Sequence, residues 1–315
     1  MLLKKENSMI SYYQKTITSK KLKKVDDFKV GSWVHVTDPT EEEFIRLEKE
    51  LRLDRGFLED AVDPYEVPRV EEDKGITYIF TRIPYEEEGQ IFTAPVLLGV
   101  ADTCVFTVSK RPLEFFDRFI DGRVEFHTTQ KIRFMLQMLL EIDGAYARYI
   151  TRINKEVRRL SVGLSGTISN REIIKFVNFE TILSDLLDAL VPTNAALAKL
   201  LSGKFLSLRE EDKEFAEDLY LENGQLVELC RSNLRALMNI RNAYSTIMGN
   251  NLNKVIKLLT SITIVLMVPS IVFNIYGMNV PLPFQGSPHA FWIITVMTIA
   301  VTFSVLWLLR RKELI

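Results

Sequence analysis

Two long apolar runs stand near the end of the chain, while the rest mixes apolar and polar positions at short periods. Leu258–Tyr276 gives 19 mostly apolar residues and Ala290–Leu309 gives 20. Each can cross a hydrocarbon core of about 30 Å as a helix rising about 1.5 Å per residue. From Leu258 to Leu309, 52 residues pass without one Asp, Glu, Lys or Arg. A water-soluble core rarely carries such a length uncharged, so the pattern predicts a membrane hairpin.

Upstream of the hairpin the apolar positions keep a helical period. Leu219, Leu226, Cys230, Leu234, Leu237, Tyr244, Met248, Leu252 and Val255 recur on one face, and no proline occurs from Leu208 to Val268. This predicts one continuous stalk helix that runs on into the first span. Gly224 and Gly249 are the weak points within it. Phe134–Leu160 and Arg171–Leu201 read as a long antiparallel helical pair, broken near Ser161–Ser169 and Ser202–Ser207. Earlier still, Lys29–Val36, Thr77–Ile83, Val96–Ala101 and Cys104–Ser109 are short β-like runs with helical segments between them. In Thr40–Leu51, Glu41 to Glu43 suit a helix N-terminus. The first part is therefore α/β. The expected organisation is an α/β cytoplasmic domain over residues 1–125 and the helical pair over 126–207. A stalk helix follows over 208–279, lining a path as its first membrane span at 258–276. The outer loop is 280–289, the second span 290–309, and the basic cytoplasmic tail 310–315.

Charge sets the orientation. Arg310, Arg311 and Lys312 follow the second span, Lys254 and Lys257 precede the first, and the loop Gly277–His289 has no Lys or Arg. The positive-inside rule places both termini in the cytoplasm, in a cytoplasmic membrane. Trp292 and Trp307 lie near the two ends of the second span, where indole favours the interface.

Stepping by threes and fours along the first span links Asn253, Ile256, Thr260, Thr263, Met267, Ser270 and Asn274 on one face. Four of the span's five polar residues fall there; Ser261 is the exception. Helix packing through hydroxyls is one explanation, and it is the preferred one for the shorter stripe Thr295, Thr298, Thr302 in the second span. A lined path is the other. Two helices cannot enclose a hole, so a path requires a homo-oligomer. A lining of uncharged oxygens cannot replace the hydration shell of a small divalent ion, but it can accept hydrogen bonds from the ion's waters. Mg2+ gives up water reluctantly and suits such a site. After the span, Gly277 can stop the helix, Asn279 offers a carbonyl at the outer mouth, and Pro281 and Pro283 bar further helix.

Composition removes other classes. The chain has 315 residues and a net charge of −1, which recruits no nucleic acid. Its two cysteines, Cys104 and Cys230, are too few for a disulfide framework or a four-thiolate zinc site. The histidines His35, His127 and His289 stand singly. No Gly-rich phosphate loop and no paired nucleophile and base occur, so neither an enzyme nor a nucleotide-driven pump is expected. The opening MLLKKENSMISYYQ has no apolar run of signal-peptide length.

Tyr276-Gly277-Met278-Asn279, placed after the first of two C-terminal spans, resembles the signature of CorA-type magnesium channels. "WVHVTDPTEEEF" (Trp33–Phe44) is similar to that family's early pattern. "PRVEEDKGITYIFTRIP" (Pro68–Pro84) is similar to the segment leading into its sheet, and the basic ending also fits. The resemblance implies a funnel-shaped homopentamer in a lipid bilayer that passes Mg2+, and often Co2+ or Ni2+, passively. Gly277, Met278 and Asn279 would select the hydrated ion, while Leu259 and Met267 match apolar constrictions. Cytoplasmic Mg2+ bound between subunits would hold the channel shut. Asp218 falls on the stalk carboxylate that binds this regulatory ion. Asn242 falls where relatives can carry an acid at the inner mouth, and here the acid is missing. The partner carboxylate has no single match; Glu41–Glu43 and Glu86–Glu88 are candidates as a crowd. Relatives often carry an acid in the outer loop, which here has only His289. A zinc or proton-coupled carrier on the same scaffold is the alternative within transport. A membrane-anchored ligand sensor is the alternative outside it.

Overall fold

A computed structural model of the chain describes residues 10–19, 21–162, 170–284 and 286–311. Two expected features lie partly outside them: the break near Ser161–Ser169 and Lys312 of the basic ending. The chain divides into two compact units, Met1–Met238 and Asn239–Ile315.

The first unit is built on a seven-stranded sheet. Its strands are β1 (Ile10–Gln14), β2 (Lys23–Val25), β3 (Ser32–Thr37), β4 (Arg69–Asp73), β5 (Ile76–Glu87), β6 (Gln90–Val100) and β7 (Cys104–Ser109). They stand in the order β2-β1-β3-β7-β6-β5-β4. Only β3 and β7 pair in parallel; the other neighbours are antiparallel. Between the strands lie α1 (Glu41–Leu51) and α2 (Arg55–Asp60), and after them α3 (Glu114–Ile120), α4 (Lys131–Val162) and α5 (Asn170–Leu201).

Alternation along β3 divides the core. Val34 and Val36 point to one face with Phe106, Leu97 and Phe80, where Phe44, Leu47 and Leu58 of α1 and α2 cover them. Trp33 and His35 point to the other face. Trp33 is fully buried, packs against Phe116, Phe119, Phe126 and Phe134, and donates its indole N–H to Thr107 Oγ1 at 2.9 Å. The period of 2 puts helices on both faces, which gives an α/β domain.

The expected strands are all present; the run expected from Lys29 begins only at Ser32 as β3, and two others are longer than the apolar runs suggested. β5 and β6 continue past the core to Glu87 and Gln90, which pair across a turn at Glu88 and Gly89. Both turn residues have positive φ, 51° and 79°, as the tight hairpin turn requires. β1, β2 and β4 are additions. β4, RVEED, is mostly charged and gains its backbone partners from β5, so no apolar period announces it. At α1, Thr40 accepts from the Glu43 N–H while the Glu43 carboxylate accepts from the Thr40 N–H, a reciprocal cap.

Two further helices complete the chain: α6 (Glu210–Tyr276), 67 residues long, and α7 (Ala290–Arg311), 22 residues long. Both are long and apolar enough to cross a membrane. The architecture is thus an α/β domain, a long helix and a C-terminal two-helix apolar hairpin. Pro269 sits inside α6 without ending it, as proline can within membrane-spanning helices, where neighbouring groups and local adjustment take up the backbone carbonyl it frees.

Candidate functional site

In the second unit the two faces of α6 differ in exposure. Ser261 is buried, at 3% exposure, and Ile264, Val265, Val268, Val272 and Tyr276 are half-buried with it. These positions recur at three and four residues and form the face that the unit covers. Asn253, Ile256, Thr260, Thr263, Met267, Ser270 and Asn274 are all exposed, as is the flanking Leu259. At about 100° per residue, the centres of the two faces lie well over a quarter-turn apart. The one polar residue off the predicted stripe is the one the chain buries. α7 uses its own stripe the other way: Thr298 is buried at 4% exposure, and Thr295 and Thr302 are half-buried. Hydroxyl-lined packing therefore describes the second span.

The stripe hydroxyls are oriented by their own helix. Thr263 Oγ1 donates to the Leu259 carbonyl and Ser270 Oγ to the Leu266 carbonyl, each at 2.9 Å. With the proton spent on the backbone, each oxygen keeps lone pairs that accept from outside. Leu259 and Met267 are 65% and 57% exposed, bulky apolar side chains on or beside the same surface.

The end of α6 holds Gly277, Met278 and Asn279, all exposed. Gly277 N–H donates to the Phe273 carbonyl at 2.9 Å and Met278 N–H to the Ile275 carbonyl at 3.2 Å. Gly277 is not in the left-handed region, so the helix does not end by a left-handed glycine cap. A Cβ on Gly277 would meet the Phe273 and Asn274 carbonyl oxygens at 3.4 and 3.5 Å, which is ordinary contact. The following segment is instead tied back by a side chain. Tyr276 Oη donates to the Pro283 carbonyl at 3.3 Å. No feature of the sequence marked Tyr276 for that role beyond its place before the glycine. Phe284, at φ 70°, then takes the left-handed turn.

The remaining expected residues are placed as follows. Asp218 is exposed on α6 beside buried Ala216 and Leu219. Asn242 is exposed, and its carbonyl accepts from Thr246 Oγ1 at 3.0 Å. Several acids of the two glutamate crowds hold structural partners. Glu41 receives Arg55, Glu43 closes the α1 cap, Glu86 receives Arg152 at 2.8 Å and Glu87 receives Arg111 at 3.0 Å. Among the described residues, no group of three or more His, Cys, Asp or Glu is placed to hold a metal ion.

A family model described as CorA-like Mg2+ transporter protein matches residues 28–311. The chain is 26% identical over 289 residues to a cobalt/magnesium transport protein CorA of Methanocaldococcus jannaschii, covering 89% of this chain and 90% of that one. It is 22% identical to a magnesium transport protein CorA of Helicobacter pylori over 95% of this chain and 96% of the relative. Among solved structures, the complete CorA magnesium transporter of Methanocaldococcus jannaschii superposes with a TM-score of 0.86 at 22% identity, over 98% of this chain and 99% of that one.

Proposed function

Because the chain belongs to the CorA-like Mg2+ transporter family, we propose that it carries Mg2+, with Co2+ as a second cargo, passively across the cytoplasmic membrane. It acts as a homo-oligomer, the pentamer that the family resemblance implies, with α6 of each copy around the path and α7 outside. Residues 1–125 and 126–207 are then cytoplasmic with both termini, and 280–289 is the outer loop. The observation that carries this reading is the exposure of the Thr260–Asn274 stripe while Ser261 is buried. A polar face left open within one chain is costly in hydrocarbon and is relieved by water or by its own copies, and a ring of copies around a wet path supplies both.

The chemistry follows from the lone pairs. A hydrated Mg2+ presents only O–H donors, so it is read by acceptors. Asn279, repeated around the axis, offers carbonyl oxygens at the outer mouth, with Met278 and Gly277 holding the turn that presents it. Thr260, Thr263, Ser270 and Asn274 continue the acceptor surface inward, and Asn253 and Ile256 line its inner end. Leu259 and Met267 form apolar rings that can close by dewetting. With no acid in the loop, capture rests on these oxygens and on the membrane potential, about 2.3 kcal/mol per charge per 100 mV. Asp218 holds a regulatory Mg2+ between copies, and Asn242 leaves the inner mouth uncharged.

The test is Mg2+ influx into proteoliposomes holding a magnesium-sensitive dye, under an inside-negative potential. Influx in the native protein should fall at least about tenfold in Asn279→Ala, the cost of about 1.4 kcal/mol. Unchanged influx in the variant would sink the role of Asn279. No influx in the native protein at low internal Mg2+ would favour a membrane-anchored sensor.

A further inference from the structure

The first unit holds a carboxylate that the transport path does not use. Asp143 of α4 is 2% exposed and faces Asn223 of α6, which is fully buried. Asn223 Nδ2 donates to Asp143 Oδ1 at 2.9 Å. The other oxygen of each group, Asp143 Oδ2 and Asn223 Oδ1, has no hydrogen-bond partner among the described residues. Both of these atoms are acceptors when the acid is ionised, so neither can satisfy the other. One proton on Asp143 Oδ2 supplies the missing donor. The neutral acid and the amide can then close a ring of two parallel hydrogen bonds, and both orphan oxygens are satisfied together.

We infer that Asp143 and Asn223 form a proton-dependent latch between α4 and α6, closed when the carboxyl holds its proton and released when it gives that proton to water. Among the described residues, no cation offsets the ionised form. On α6, Glu222 adds a negative charge, and the Cys230 thiol lies near Tyr146. On α4, Tyr146 donates its hydroxyl to the Arg82 carbonyl at 2.9 Å. The Arg82 guanidinium of β5 donates to the Pro64, Glu66 and Thr93 carbonyls and to Thr93 Oγ1. From β6, β7 and α5, which also pack on α4, no described titratable group acts on Asp143. Burial, the largest influence, pushes the carboxyl up to about 7, against the Asn223 hydrogen bond that lowers it and with Glu222 that raises it. Ionisation therefore falls near neutral pH, and an unpaired buried charge drives the two helices to part or admit water. Since α6 runs on into the proposed lining, the latch couples cytoplasmic pH to the path; that clause alone rests on the transport reading.

The test is hydrogen exchange of the full chain in lipid nanodiscs at pH 6 and pH 8, corrected for intrinsic exchange rates. One unit either side of the midpoint changes the acid fraction about tenfold. Segments around Asp143 and Asn223 should exchange about tenfold faster at pH 8, with α1 unchanged. Asp143→Asn, whose amide donates at every pH, should stay protected at both. A native protein with no local change, or one in which all segments change equally, overturns the latch without reference to any variant. So does a variant that follows the native protein. Mg2+ influx by the native protein, but not by Asp143→Asn, should change between the same pH values. A switch in exchange without one in influx overturns the coupling alone. Absence of influx at both pH values is a failure of the transport reading, and exchange still decides the latch.

Discussion

Gly99 on β6 lies under the ring of Phe106 on β7, where an added Cβ would come within 1.9 Å of Phe106 Cζ. Gly99→Ala must therefore displace a buried ring, and we expect a loss of about 1–3 kcal/mol in denaturant unfolding. His35 is a half-buried base. Burial, with the charge of Lys24, lowers it to about 4. The unfolded chain binds this proton at about 6.5. Between those values the unfolded state holds more protons, so the contribution of His35 to stability is full above pH 6.5 and is lost as pH falls toward 4. Its ring resonances in NMR should move by no more than about a tenth of the full titration shift between pH 7 and pH 5. Burial raises the Cys104 and Cys230 thiols to about 11 and about 12. Neither should be alkylated by iodoacetamide at pH 8 until the protein unfolds, because the thiolate is the reactive form. The isolation of both cysteines and of His35 was legible in the sequence. Their environments were not, because burial depends on which strand neighbour lies beneath each side chain.

On α6, chemically similar changes should separate according to face. Thr263→Val keeps the volume of an exposed stripe residue but removes its lone pairs. It should lower Mg2+ influx several-fold while leaving the melting temperature within a few degrees. Ser261→Leu overfills a buried position and should cost about 1–3 kcal/mol, read as a lower melting temperature. If Ser261→Leu proves silent and Thr263→Val destabilises, the faces have been assigned wrongly. The period of the helix was legible because membrane-spanning faces need so few polar residues that each one counts. That the chain covers Ser261 rather than the stripe was not, since packing and a lined path leave the same spacing. Strands show the complementary limit. β5, β6 and β7 carry apolar runs that the core demands, whereas charged β4 is held by backbone pairing to β5, a bond pattern open to almost any side chain.

At the scale of the molecule, α6 and α7 leave many large apolar residues exposed, among them Leu266, Ile271, Phe291 and Trp307. Lipid can cover these, but it offers no donor to the lone pairs of the hydroxyl stripe and no partner to the Asn274 amide, so a ring of copies is a better environment for that face than a bilayer alone. Native mass spectrometry from lipid nanodiscs should give a homo-oligomer, the pentamer that the resemblance implies. A monomer that still passes Mg2+ would refute a path built by repetition. The sequence by itself determined the two spans, the long uninterrupted helix, the α/β first part and the Gly277-Met278-Asn279 turn. Each of these rests on local rules of length, period and charge, and on Pro281 and Pro283, which bar further helix. Only the tertiary structure decided that Ser261 is covered while the stripe stays open, that Tyr276 ties down the turn, and that Asp143 meets Asn223 inside the first unit. Those are contacts across a loop, contacts between residues distant along the chain, or choices between faces of one helix, and spacing leaves all three undetermined until packing selects among them.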